Sequence, residues 1–278
     1  MNRTFKRILS LLTAVLLLTA AACPAALAAK TSGTCGPNAK WTYDSGKKTL
    51  TISGKGKVTG GWQNAVGSQK VSVTIKKGIT SIGNGAFMYT KMKKLTLPST
   101  LKTLDEWALG NYDGMVLPDT LTIPKSVKTI KDYALSGRGL KTIKVEKGNK
   151  NYTSVKGVLF NKKKTKLLYF PGSRTGKYTV PKGTKEIAHC AFDESALTQL
   201  VVPAGVKKVG YNSFWLSPFK ELVFLGKPPK GLNIDSACRA QNVFFRERYR
   251  KNWDPVITAS RNGGFVGRWY EIYKGKWK

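Results

Sequence analysis

Few residues in this chain are equipped for bond chemistry. There is one histidine, His189, and its neighbour is Cys190. A thiol beside an imidazole is the raw material of a nucleophile and its general base. On an extended segment, however, adjacent side chains point to opposite faces and cannot converge. Cys35 and Cys238 stand far from that pair, and the 15 acidic residues are scattered, with no His, Cys or carboxylate spacing suited to a metal. Gly54, Gly56, Gly60 and Gly61 lack the GxGxxG spacing and precede no helical pattern, so they do not read as a phosphate cradle. The expectation is a non-enzyme, with no catalytic residue, no metal and no cofactor.

The chemistry the chain has in abundance is cationic. It carries 48 lysines and arginines against 15 acids, a formal charge of +33. Such an excess speaks about partners and solubility rather than fold. Much of it is periodic. Lys102, Lys128, Lys150, Lys185 and Lys207 recur at one position, and Lys77, Lys125, Lys147 and Lys182 at another. Thr74, Thr96, Thr122, Lys144 and Thr179 recur at a third, with Lys94, Thr142, Lys177, Gln199 and Glu221 two residues before these or their counterparts.

The elements that position these residues are repeats. Segments starting at Val73, Leu95, Leu121, Ile143, Tyr178, Leu200 and Leu222 share the same apolar columns. Most are 22 residues apart; the gaps of 26 and 35 are one period plus an insertion. The first two apolar positions, such as Leu121/Ile123 and Leu200/Val202, are two residues apart and share one face of a strand. A third column holds Ile79, Leu101, Val127 and Val206, and a fourth Ile82, Leu104, Ile130, Ile187 and Val209. A small-large pair follows, for example Ala86-Phe87 and Ala191-Phe192, in a column set where His189 matches Asn84, Glu106, Asp132 and Tyr211. One short coil cannot bury so many apolar side chains, but stacked coils can, and a period in the twenties marks a solenoid.

Leu140-Lys-Thr-Ile-Lys-Val145 and Leu197-Thr-Gln-Leu-Val-Val202 read as LxxLxL, with Pro98, Pro124, Pro181 and Pro203 after such strands. This pattern resembles the BspA-like class of bacterial surface leucine-rich repeats over about residues 70 to 245, and Asn151 to Asn161 resembles an insertion common in that class. The resemblance implies a β-rich leucine-rich-repeat solenoid of about seven coils, with short helical or 3-10 turns and β-hairpin caps. It implies a secreted or surface protein that binds a partner.

The domains are read accordingly. Residues 1–28 form a signal peptide: Arg3, Lys6 and Arg7 precede an apolar run and small residues at Ala26-Leu27-Ala28. Residues 29–70 form an N-terminal β cap; residues 71–240 hold the repeats, with a hairpin insertion at 150–177; residues 241–278 form a C-terminal cap and basic tail. Signal removal takes three cations away, leaves no membrane span and leaves Cys35, Cys190 and Cys238, for which no disulfide is expected. The protein is expected to be a monomer, secreted or retained at the bacterial surface.

Two surfaces are candidates for binding. The strand face offers Thr74, Lys94, Thr96, Thr122, Thr142, Lys144, Lys177 and Thr179 to a protein or glycan. The lysine columns offer Lys77, Lys102, Lys125, Lys128, Lys147, Lys150, Lys182, Lys185 and Lys207 to an anionic wall polymer or acidic host glycan. No nucleic acid is expected, because the columns lack interleaved aromatics for base stacking. A passive coat protein, binding neither, is the remaining alternative.

Overall fold

A computed structural model describes residues 30–110, 114–273 and 276–277. The expected signal peptide and most of the basic tail lie outside the described residues. The chain opens with an antiparallel meander of β1 (Lys30–Gly36), β2 (Ala39–Asp44) and β3 (Thr49–Gly54). It continues through β4 (Gly56–Val58) and one helical turn, α1 (Gln63–Val66). Each coil then supplies a front strand and a shorter back strand: β5 (Lys70–Ile75) and β6 (Ile79–Ile82), β7 (Lys91–Thr96) and β8 (Thr103–Leu104), β9 (Thr120–Ile123) and β10 (Thr129–Ile130).

Front strand β11 (Thr142–Val145) leads into the insertion, β12 (Tyr152–Val155), β13 (Val158–Asn161) and β14 (Lys166–Tyr169). Alternation resumes with β15 (Gly176–Thr179), β16 (Glu186–Ile187), β17 (Leu197–Val202), β18 (Lys208–Val209) and β19 (Glu221–Phe224). The chain closes with β20 (Asn242–Arg246), helix α2 (Arg250–Asn262), β21 (Arg268–Tyr273) and β22 (Lys276–Trp277).

The fold is the expected β-solenoid, with about ten turns rather than seven. The extra turns come from the ends. β3 pairs in parallel with β5, so Leu50 stacks on Val73 and the N-terminal hairpin is itself the first rung. β20 and β21 continue the parallel ladder from β19 beyond the point where the repeat consensus decays. At that end the cap is not a simple hairpin: the 13-residue α2 packs on it, and only β21 and β22 pair antiparallel.

Register explains why the repeat spacing matters. In the front wall Leu50, Val73 and Leu95 are level, as are Leu121 and Ile143, and Tyr178, Leu200 and Leu222. In the back wall Val58, Ile82, Leu104 and Ile130 are level. After four of the front strands, β7, β9, β15 and β17, a proline carbonyl closes a turn: Leu101, Val127, Thr184 and Val206 donate their amides to Pro98, Pro124, Pro181 and Pro203 at 3.0–3.2 Å. That turn drops the third column into the interior, and almost every column residue is fully buried. Each such Leu, Ile or Val gains about 1.5–3 kcal/mol on leaving water, but only because coils above and below supply the walls.

The fourth column is two rows, not one. Beyond Ile130 the ladder stops, and the second row runs Leu167, Ile187, Val209. The insertion separates them and divides the apolar core into two clusters. It does not project as a free hairpin: Val158, Leu159, Phe160 and Leu167 are buried, and β14 is the back strand of its coil.

Side chains of the insertion replace the missing rung. Tyr152 Oη accepts the Ile130 amide at 2.8 Å and donates to the Lys128 carbonyl. Asn151 Nδ2 also donates to that carbonyl. Asn149, 1% exposed, donates to the carbonyls of Pro124 and Val127 and accepts the amides of Asn151 and Tyr152.

Tryptophans plug both ends of the core. Trp62 is fully buried against Phe87 and donates to Thr90 Oγ1. Trp253, on α2, is fully buried among Phe224, Phe245 and Trp269 and donates to the Gly226 carbonyl at 3.1 Å.

Asn149 makes a sharp test of the replaced rung. Asn149→Ala removes four hydrogen bonds; the Pro124 carbonyl keeps the Val127 amide, while the Val127 carbonyl and the Asn151 and Tyr152 amides lose the partner that Asn149 gave them. Each buried orphan costs about 1–3 kcal/mol, so urea unfolding should show a loss of about 3 kcal/mol. A loss under about 1 kcal/mol would mean that the insertion does not hold the coil beside it.

Candidate binding surfaces

The front wall places the threonine column outward, but in three blocks. Thr51, Thr74 and Thr96 are level on β3, β5 and β7, with Ser72 beside Lys94. Thr122 sits beside Lys144, and Thr120 beside Thr142. Lys177 and Thr179 begin the third block. The breaks follow from the two long repeats. Between β7 and β9 the chain detours through Met115 to Pro118, so the strands diverge and leave a cleft lined by Lys93, Lys94, Thr96, Asp119, Thr120 and Thr122.

Between β11 and β15 the tip of the insertion fills the gap. Gly157 gives its carbonyl to the Ile143 amide, Ser154 Oγ donates to the Ile143 carbonyl, and Arg174 donates to the Lys156 carbonyl. Thr142 is consequently half-buried beside Gly157.

In the third block the outward column changes character. Thr179 is level with Val201, Val223, Phe244 and Tyr270. Val223 and Phe244 are buried outside the main core, and Phe244 stacks on Tyr270 at 5.1 Å. These residues were missing from the sequence reading. The signal was present, because Val201 and Val223 lie between two inward positions as Thr96 and Thr122 do.

The lysine columns stack only in part. The Lys128 amide donates to the Lys102 carbonyl, the Lys207 amide to that of Lys185, and the Lys230 amide to that of Lys207. These form one rung pair and one row of three, all exposed. Lys150 does not belong with them. The residue level with Lys185 is Thr165, and the Lys128 carbonyl is taken by Tyr152 and Asn151 instead. Lys230 joins the row, which a 23-residue step from Lys207 hides from a strict period. In the second column Lys125 and Lys147 lie two residues past the paired Ile123 and Val145 and so share adjacent coils. Lys77 and Lys182 have Ser99 and Ala204 at the next repeat position. All four are exposed.

The third surface is the outer corner of each coil, after the back strand. Its turning residue adopts the left-handed conformation at Gly85, Trp107, Tyr133, Cys190 and Asn212, with φ of 50–61°. His189 and Cys190 therefore lie on a turn, not on an extended segment, yet still diverge. His189 is half-buried and its Nδ1 accepts the Tyr211 amide at 3.2 Å, while Cys190 is 1% exposed on the inside. The three described cysteines are buried and form no disulfide, and burial pushes the Cys35 and Cys238 thiols up to about 11. Such thiols are poor nucleophiles. Among the described residues no group of His, Cys, Asp and Glu is placed to hold a metal, and no helix is long and apolar enough to cross a membrane.

The BspA type Leucine rich repeat region matches in six copies, over residues 67–176 and 168–238. The chain belongs to the BspA-type leucine-rich-repeat family. No curated protein matches it. Among solved structures it is similar to a leucine-rich repeat protein from Eubacterium ventriosum, at 22% identity over 79% of each chain, with a TM-score of 0.43. It is also similar to the pneumococcal vaccine antigen PcpA, at 20% identity over 77% of this chain and 81% of that one, with a TM-score of 0.46.

One ion-pair knot joins the coils of this BspA-type array at the corner. Asp105, 8% exposed, receives Lys131 Nζ at 2.7 Å and Lys57 Nζ at 2.8 Å. Hydrogen bonds from Lys131 and then Lys57 hold its carboxyl below the ordinary value of 3.8. A carboxyl depressed on folding contributes stability above the unfolded value and loses it as pH falls through the folded one. Asp105→Asn should therefore lower stability at pH 7 and make its decline below about pH 4 shallower than in the parent. Urea midpoints across that range measure it; parallel acid limbs would show that the knot contributes nothing.

Proposed function

We propose that this chain is an exported, non-enzymatic recognition protein that docks a protein or glycan at the bacterial surface through its front wall. One observation carries the reading. Thr51, Thr74 and Thr96, then Thr122 beside Lys144, put mostly short polar side chains outward in register, which leaves a broad sheet face that a partner can approach. The cleft between β7 and β9 breaks that face in the middle and gives it shape. Leucine-rich-repeat proteins in general bind proteins. The basic n-region, apolar run and small residues over positions 1–28 support export.

A second reading rests on a different observation. The exposed row Lys185, Lys207, Lys230 supports electrostatic capture of an anionic wall polymer or acidic host glycan. Such binding weakens steeply as salt rises.

The two readings separate experimentally. Thr96→Arg with Thr122→Arg blocks the cleft without touching the lysine row. Under the first reading the double variant loses partner capture from host mucus or the producer's own wall at least tenfold, and its melting temperature stays within a few degrees of the parent's. Under the second, capture survives the double variant, and retention on heparin or teichoic acid collapses between low and high salt. A variant that captures as well as its parent sinks the front-wall reading.

A further inference from the structure

We propose that the tip of the insertion, Lys163 and Lys164, extends the lysine row Lys185, Lys207, Lys230 into one binding track for a linear phosphodiester polymer of the cell wall. This rests on the electrostatic reading above and narrows it to one ligand and one added element.

The backbone joins the tip to the row. Lys230 gives its amide to the Lys207 carbonyl at 2.9 Å, Lys207 to that of Lys185 at 2.8 Å, and Lys185 to that of Thr165 at 2.7 Å. The same bond steps through four coils, and Thr165 stands where the fourth lysine would be. The residue before each lysine of the row is buried: Thr184, Val206 and Pro229. The residue before Thr165 is Lys164, which is exposed and left-handed at φ 57°. The inserted coil thus lacks a lysine at the rung and carries two exposed ones, Lys163 and Lys164, immediately before it.

The tip is braced. Asn161 Oδ1 accepts the amides of Thr165 and Lys166 at 2.9 and 3.0 Å, and its Nδ2 donates to Thr165 Oγ1 at 2.9 Å. The Asn161 carbonyl accepts the Lys164 amide at 2.9 Å. Lys162 ties the turn down, giving its amide to the Asn151 carbonyl and its Nζ to the Asn149 carbonyl, both at 2.7 Å. Lys163 and Lys164 are therefore cations on a fixed turn, and a ligand has little backbone to order on arrival.

The track is also uncompensated. Among the described residues no salt bridge engages Lys163, Lys164, Lys185, Lys207 or Lys230. The acid beside Lys185, Glu186, is already shared by Lys166 at 3.0 Å and Lys208 at 3.3 Å. Lys207 Nζ donates to the Ala204 carbonyl at 2.9 Å and keeps two further N–H groups.

This pattern selects the ligand. Neighbouring strands lie about 5 Å apart, so the track runs for about 15 Å, with cations nearly in single file. A polymer with one charge in each backbone repeat can pair with them one after another. Every cation is a lysine, a point charge that suits phosphate. The planar carboxylates of acidic glycans are better matched by the arginine fork, and no arginine stands on the track. A heparin-type chain crowds several charges onto each disaccharide, more than a single file can pair.

The test is titration calorimetry on the mature chain with synthetic glycerol-phosphate oligomers of two, four, six and eight repeats, beside a heparin tetrasaccharide of about the same charge as the longest. Affinity should rise steeply from two repeats to six and gain little from six to eight. Five lysines at about 0.7 each predict a slope of log affinity against log salt of about −3.5. Lys163→Gln with Lys164→Asn keeps every Asn161 bond and places a residue that tolerates the left-handed turn. It should weaken the six-repeat oligomer about tenfold and make the slope shallower by about 1.4. Lys40→Gln with Lys55→Gln removes the same charge from the N-terminal cap and should change binding less than twofold. If Lys185→Gln with Lys207→Gln abolishes binding while the tip variant binds as the parent does, the electrostatic reading stands and this proposal falls. If no oligomer binds, or the cap variant loses as much as the tip variant, both fall. A parent slope shallower than −2, or tighter binding of the heparin tetrasaccharide than of the eight-repeat oligomer, also overturns the proposal.

Discussion

Every coil of this protein depends on its neighbours for the same two things. Its backbone amides and carbonyls find partners in the parallel strands on either side, and its apolar columns find walls in the adjacent turns. A 22-residue coil taken alone satisfies neither, and an unpaired buried backbone group costs as much as several buried methylenes return. Stability is therefore shared along the axis. The two ends and any interruption are where it has to be secured by other means. Trp62 and Trp253 secure the ends, each filling the open mouth of the core and each giving its indole N–H to an acceptor, Thr90 Oγ1 and the Gly226 carbonyl.

The interruption is more instructive than the regular coils. At the insertion the back-wall ladder ends at Ile130 and restarts at Leu167, and side chains take over the work of a strand. Tyr152, Asn149 and Asn151 supply hydrogen bonds that the next rung would otherwise make. The price is a core in two pieces and a front wall whose β11 edge is covered by the insertion's own tip. The same departure shortens one corner by two residues. Thus a single sequence event shapes the front face, divides the interior and shortens the corner of one coil.

Much of this was legible in the sequence because stacking converts period into contact. Columns two residues apart marked the front strands, and the 22-residue recurrence placed them side by side. What escaped did so for physical reasons. Helix α2 was hidden by Pro255 and the β-branched run Val256-Ile257-Thr258, all poor helix formers. Its real signal was Trp253 and Ile257, four residues apart and buried on one face. The extra rungs at the ends escaped because β20 pairs with β19 through a 21-residue offset, off the strict period. Lys150 was misplaced because the column was extended across the insertion, where tertiary contacts and not spacing decide which residue comes next.

Register also explains how the charge is managed. A solenoid sets like residues beside like, which helps leucine and hurts lysine. Two cations about 5 Å apart repel by about 0.8 kcal/mol in water. Along parts of the surface the chain relieves this with a shared carboxylate: Asp105 between Lys57 and Lys131, and Glu186 between Lys166 and Lys208. Both acids sit lower than the lysines they bridge, where screening is weaker. No such bridge joins Lys102 to Lys128, or links Lys185, Lys207 and Lys230, among the described residues. These rows keep their mutual repulsion in the free protein, and an anion laid along them would relieve it. A row of three gains more from such an anion than a pair does, so the electrostatic reading of this surface belongs to the C-terminal half of the solenoid, and the threonine reading to the N-terminal half.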